Sequence, residues 1–294
     1  MAQDGSSDPK SYVLYYNPFS ICSLMVLHTI ETRGSAKDSA SEMAIVPEVI
    51  DIFHEGQLSE HYLCDINPEG QVGYANFTPP LPDIPALRQF LAQLLMFILD
   101  QVPVLYSPAL LKKPIADSLE ITEYMAERYP SLIPKEHEQL IRRLLVDLHA
   151  LNFFSLSFPG RPTVAAGMKA AVVRRLQMPG ISERYREALK FKLTVLDRDK
   201  IGGIVPEVVQ DMVTRAKNFL AEVESMVPDA PCIWLFGDAP TAFDAHLVVF
   251  LARMKDVKRD NLFPPKVARF AERAFETPAW KAVIQDRKTM VGEY

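Results

Sequence analysis

"YVLYYNPFSICSLMVLHTIETRG", residues 12–34, decides how the chain is read. Apolar and aromatic residues run from Tyr12 into Asn17 and Pro18, and a segment with helical spacing then opens on Ser20, Ile21, Cys22 and Ser23. A strand hands over to a helix here, with the hydroxyls of Ser20 and Ser23 and the thiol of Cys22 crowded at the junction.

Outward from this point the pattern alternates. The spacing predicts a strand over 13–16, a helix over 20–33, a strand over 47–53 ("PEVIDIF") and a short helix over 58–64. A third strand follows in "VPVLYSP". "LLKKPIADSLEITEYMAERYP" then gives a short fourth strand and an amphipathic helix that starts at Ser118 and has Ile121, Tyr124 and Met125 on one face. A β-α-β unit followed by antiparallel strands and a last helix is a small α/β layer. After Pro134 strand signals vanish, and helical spacing recurs over 138–154, 165–177, 183–199, 206–226, 243–255, 265–275 and 278–286. Breaks such as "PGRP" and "MPG" delimit these helices. Two domains are expected, an α/β one over 11–134 and an all-α one over 135–294, in keeping with a length of 294 residues.

Composition narrows the function classes. Hydrophobic residues are 48% and charged residues 23% of the chain, an ordinary soluble profile. A net charge of −5 without a Lys/Arg block argues against nucleic acid or anionic membrane as the main partner. The first ten residues lack the basic-then-apolar pattern of a secretory signal. The longest apolar stretch, "LRQFLAQLLMFILDQVPVLY", is broken by Arg88, Gln89, Gln93, Asp100 and Gln101, and its uninterrupted part is too short to span a bilayer. Cys22, Cys64 and Cys232 are scattered, which fits free thiols in a reducing, cytoplasmic compartment. The histidines have no metal-ligand spacing, so no metal is expected, and His149 reads as a core or surface residue.

The order "YYNPFSICSLMV", "INPEGQV", "VPVL", "DSLEITEYMAERYP" and "WLFGDAPTAFDAHLVVFLARM" resembles the cytosolic glutathione transferases, in particular their theta-like and zeta-like serine types. The resemblance covers nearly the whole chain. It implies an N-terminal thioredoxin-like α/β domain followed by an all-α helical bundle, glutathione as co-substrate or cofactor, and a homodimer. A fungal-like enzyme that tailors or detoxifies small hydrophobic metabolites is what the family relation suggests.

The chemistry such an enzyme needs can be stated physically. A free peptide thiol has a pKa of about 8.5, so little of it is the nucleophilic thiolate at neutral pH. Unpaired N–H groups and the positive dipole end of a helix N-terminus stabilise thiolate, and a neighbouring hydroxyl adds a hydrogen bond. Lowering the pKa by two units takes about 2.7 kcal/mol. Aligning Val26 with the family's helix-one valine puts Ser20 at the activating position, where it can also be a plain N-cap. Cys22 falls where beta-like enzymes place a mixed-disulfide cysteine, or is a small buried residue. Tyr15 and Tyr16 are alternative sources of the hydroxyl, as in other classes of the family, but their place in a strand reads as core packing, and Ser23 has no assigned role.

Further roles follow from the same resemblance. Val102, before a cis Pro103, presents its backbone to the cysteinyl part of glutathione. Asp117 and Ser118 receive the γ-glutamyl carboxylate at a helix start, and Gln57 is a candidate for the glycyl end. Phe19, Phe153, Phe154, Phe158 and Arg161 are candidates for the acceptor pocket, or are core. Thr241 and Asp244 form a capping box with a structural task. One departure stands out: the family text "NPxGQVPVL" is interrupted here, with an insertion over about 72–101 before Gln101-Val102-Pro103. The insertion reads either as a genuine loop with an amphipathic helix or as translated intron sequence. The functional alternatives are a non-catalytic interaction or regulatory module of the same fold, and a thiol reductase based on Cys22.

Overall fold

The computed structural model describes residues 11–67, 102–229 and 233–291. The inserted segment and Cys232 lie outside the described residues.

The opening stretch folds as its pattern dictates. Strand β1 is Tyr12–Tyr16 and helix α1 is Ile21–Thr32. Strand β2, Ile45–Val49, pairs parallel to β1 with Tyr12 opposite Ile45. Strand β3, Val104–Tyr106, pairs antiparallel on the other side, so the sheet order is β2-β1-β3. The parallel pair needs a crossover, and α1 supplies it. Pro47 is tolerated inside β2 because that strand is an edge.

Two strand expectations are corrected. The second strand begins and ends earlier than 47–53, because Asp51 Oδ1 accepts from the backbone N–H of Phe53 at 3.0 Å and of His54 at 3.1 Å and turns the chain. The fourth strand is reduced to one bridge between Leu105 and Ile115. Pro114 has no N–H to extend the ladder, and Asp117 must already bend to cap the next helix. The short helix expected over 58–64 is instead a 3₁₀ turn, Gly56–Leu58, followed by a wide π-type turn, Tyr62–Ile66.

Helix α2 is Ser118–Ala126. The helical part then comprises α3 (Glu138–His149), α4 (Phe153–Ser157), α5 (Pro162–Leu176), α6 (Glu183–Val195), α7 (Pro206–Met226), α8 (Ala242–Asp256), α9 (Pro265–Phe275) and α10 (Pro278–Ile284). The single helix expected over 138–154 is split. Asn152 Oδ1 accepts from the N–H groups of Phe154 (3.0 Å) and Ser155 (3.1 Å), which restarts the helix in a new direction. Helix α6 also ends before 199 and runs on as a π-type stretch, Leu196–Ile201.

Helices α1 and α8 form the centre. Every residue of α8 from Ala242 to Met254 is buried. A helix buried on all sides must satisfy its polar side chains internally. In α1, Thr29 Oγ1 donates to the Met25 carbonyl at 2.9 Å and Thr32 Oγ1 to that of His28 at 2.7 Å. A second, smaller apolar cluster joins Leu58, Leu63 and Cys64 to Ala171, Val172, Tyr185, Ala188, Leu189 and Leu196, so the turns after β2 are packed against α5 and α6. Arg174 and Arg175 fasten the same contact by bridging Glu55. No helix among the described residues is long and apolar enough to cross a membrane.

Candidate active site

The three groups crowded at the β1–α1 junction have separate tasks. Ser20 is the N-cap of α1; its Oγ accepts from the Ser23 N–H at 3.3 Å and donates to the Val102 carbonyl at 3.4 Å. Ser23 is fully buried, and its Oγ accepts from the Asn17 N–H at 3.2 Å. Asn17 in turn accepts from the Phe19 N–H at 2.9 Å and donates to the Ile50 carbonyl at 2.8 Å, which pins the handover loop to the end of β2. Cys22 is 7% exposed and belongs to the core. The hydroxyl that faces outward from this helix start is that of Ser20.

Ser20 opens on a cavity of about 510 Å³. From the α/β layer Phe19, Ser20, Gln57 and Val102 bound it, and from the helices Phe153, Phe154, Phe158 and Arg161 do. The peptide bond between Val102 and Pro103 is cis. Gln57 donates through Nε2 to the Ile52 carbonyl at 3.3 Å, while its buried Oε1 has no hydrogen-bond partner. The aromatic residues are mutually packed: Phe154 and Phe158 have ring centroids 4.7 Å apart, and Phe19 meets Phe53 edge-on at 5.8 Å.

Four of the expected site residues do not bound this cavity: Cys22, Pro103, Asp117 and Ser118. Asp117 and Ser118 are both buried at the start of α2, and Asp117 Oδ1 accepts from the N–H groups of Leu119 and Glu120, each at 2.9 Å. The acid thus caps its own helix. Tyr15 lies in the sheet against Tyr62 and Tyr106, and burial raises its phenol above the usual value.

Other polar residues of the cavity were not singled out in the sequence. Arg253 is 4% exposed and spans from α8 to the junction loop, donating to the Phe19 carbonyl (2.7 Å), the Thr289 carbonyl (2.6 Å) and Thr289 Oγ1 (3.0 Å). Lys192 and Lys200 also bound the cavity. The signal for Arg253 and Lys192 was present: each is a cation inside the apolar spacing of a helix.

Behind Phe153 lies a chain of buried imidazoles. His149 Nε2 and His246 Nδ1 are 2.8 Å apart, and His246 Nε2 is 2.9 Å from Thr122 Oγ1. His28 Nδ1 donates to the Ala245 carbonyl at 2.9 Å, and its Nε2 is buried without a partner. Desolvation pushes His28 and His149 down to about 4, and lowers His246 further with help from the other two. All three are neutral at pH 7, and none bounds the cavity. His149 is thus a core residue. Among the described residues no group of His, Cys, Asp and Glu side chains could hold a metal ion.

No family model and no curated protein matches the chain in sequence. Solved structures do match in shape. The β-etherase LigF from Sphingobium aligns over 94% of this chain and 99% of its own with a TM-score of 0.58 at 15% identity. A glutathione transferase family member from Pseudomonas fluorescens, with two glutathione bound, aligns over 95% of each chain with a TM-score of 0.52 at 14% identity. A bacterial maleyl pyruvate isomerase, a zeta-class glutathione S-transferase, aligns over 92% of this chain and 95% of its own with a TM-score of 0.50 at 17% identity. The fold is that of the glutathione transferases: a thioredoxin-like α/β domain followed by an all-α one.

Proposed function

We propose that this protein is a glutathione-dependent enzyme in which residues 11–134 hold the tripeptide and residues 135–294 hold a hydrophobic electrophile. The observation that carries this reading is the placement of Ser20: a helix-capping hydroxyl, beside the carbonyl of the residue preceding a cis proline, at the wall of a cavity rich in aromatic side chains.

The geometry suggests how the hydroxyl is freed. Ser20 Oγ donates to the Val102 carbonyl. A peptide N–H laid along Val102 would take over that carbonyl, and the Ser20 proton could then turn to a sulfur at the start of α1. The thiolate gains a charge-assisted hydrogen bond and the dipole of α1. Gln57 Oε1, buried and unpaired, is an acceptor waiting for an N–H donor of the bound peptide. Attack on an activated alkene or displacement of a leaving group gives a conjugate. Reversal of the addition after bond rotation gives cis/trans isomerisation without net use of glutathione.

The test is retention on immobilised glutathione, coupled to titration of the bound thiol. The bound thiol is expected to titrate below its free value of about 8.5, and Ser20→Ala to raise it by about one to two units, which is about tenfold to a hundredfold in its ionisation constant. Ser118→Ala is expected to weaken retention. A thiol titration that Ser20→Ala leaves untouched removes the assignment, and a folded protein that ignores glutathione favours the non-catalytic module. Cys22→Ala is expected to preserve turnover; its loss would favour thiol reduction. Comparing glutathione consumed with substrate lost separates conjugation from isomerisation.

A further inference from the structure

The 3₁₀ turn Gly56–Leu58 brings Gln57 to the cavity wall, and side chains of the helical part grip that turn at both ends. At its start Arg175 of α5 uses its whole guanidinium. Nε donates to Glu55 Oε2 at 3.1 Å, Nη2 to the Glu55 carbonyl at 3.2 Å and Nη1 to Tyr185 Oη at 3.3 Å. At the other end Tyr185 Oη, from α6, donates to the Leu58 carbonyl. Arg174 adds a second hold on the Glu55 carboxylate. Arg175 and Tyr185 therefore act as one clamp, and Tyr185 is buried in the small apolar cluster.

The backbone shows what the clamp maintains. Glu55 has φ 62° and ψ 25°, a left-handed conformation uncommon in residues other than glycine. Such a conformation persists where its surroundings over-determine it. Here the carboxylate and the carbonyl of Glu55 are both taken by α5, and the carbonyl also accepts from the Leu58 N–H at 2.9 Å, which closes the turn. Between the two held carbonyls sits Gln57, whose buried Oε1 has no partner. A buried acceptor left unpaired is costly, so its place is imposed by the clamp around it.

We propose that Arg175 and Tyr185 are positioning residues for glutathione: they fix the 55–58 turn so that Gln57 Oε1 meets a peptide N–H of the tripeptide. The assignment rests on reading the cavity as a glutathione site, and it makes the helical part a contributor to the tripeptide's binding as well as to the acceptor wall. Neither residue touches the tripeptide in this scheme. A clamp that served only to hold the two parts together would behave differently. Loosening it would disturb everything at the cavity, whereas misplacing Gln57 costs only the bond that Gln57 makes.

Calorimetric titration of the full chain with glutathione tests this as a double-mutant cycle. Gln57→Ala is expected to weaken binding about tenfold, because the peptide N–H loses its acceptor. Tyr185→Phe removes one hydroxyl and keeps the ring in its cluster; it should weaken binding about threefold to tenfold, and Arg175→Met should do the same. Either variant serves if the other does not fold. In the Gln57→Ala background each change should cost less than about twofold. The titration of the bound thiol, set by Ser20 and α1, should stay where it is in all of these variants. Losses that add independently of Gln57, a Gln57→Ala variant that binds as tightly as the parent, or a bound thiol that shifts with Tyr185→Phe would each overturn the assignment while leaving the enzymatic reading in place. A folded parent chain that takes up no glutathione would sink both.

Discussion

Asp244→Ala is expected to cost about 3–5 kcal/mol of stability and to lower the urea midpoint without changing the fold of the surviving native fraction. Asp244 is fully buried. Its Oδ2 accepts from the Thr241 N–H at 2.9 Å and from Thr241 Oγ1 at 2.7 Å, and its Oδ1 accepts from the Leu235 N–H at 3.0 Å. Burial pushes this carboxyl up, and those donors pull it back down. Truncation strands them without water, at about 1–3 kcal/mol for each unsatisfied group, and removes half of a capping box. The box starts α8, the helix that lies buried along its length and carries both His246 and Arg253. Asp244→Asn keeps the acceptor oxygen and should lose less. A loss under about 1 kcal/mol for the alanine variant would show that the box is ornamental.

The second large effect is acid lability. His28 and His149 titrate near 4 in the native state and near 6.5 when unfolded. The folded pKa lies below the unfolded one, so between these values the unfolded chain binds more protons, and stability falls as pH falls. The contribution is intact above about 6.5 and is fully lost below about 4. From pH 7.5 to 5 the two groups together should remove about 4 kcal/mol, and His246 acts in the same direction. Asp244, whose carboxyl is raised, opposes this at the acid end. Equilibrium unfolding at several pH values checks the slope. A flat profile between pH 7 and 5 would mean that the imidazoles are not held neutral inside.

Local pattern carried much of the architecture. The strand-to-helix handover at Asn17–Ser20, the capping box at Thr241 and the helices 206–226 and 265–275 were legible because neighbours along the chain determine them. Where the sequence misled, one short-range hydrogen bond outweighed periodicity: Asp51 ended β2 early, and Asn152 split a helix whose apolar spacing ran on unbroken. Part of the site was visible too. Ser20, Gln57, Val102, Phe19, Phe153, Phe154, Phe158 and Arg161 meet at one cavity. The pairing of His149 with His246 joins residues 97 positions apart, and no spacing rule reaches that far. Lys192 was passed over because a single cation on a helix face usually lies in solvent.

The small apolar cluster between the turns after β2 and helices α5 and α6 shares Leu58, Ala171, Val172 and Leu196 with the cavity wall. Whatever fills the cavity therefore completes that satellite, and meets the main core through Ile21, Phe153 and Met290. Amide protons over 171–196 should exchange with deuterated solvent markedly more slowly once an occupant is bound, while those of α8, sealed already, keep their rates.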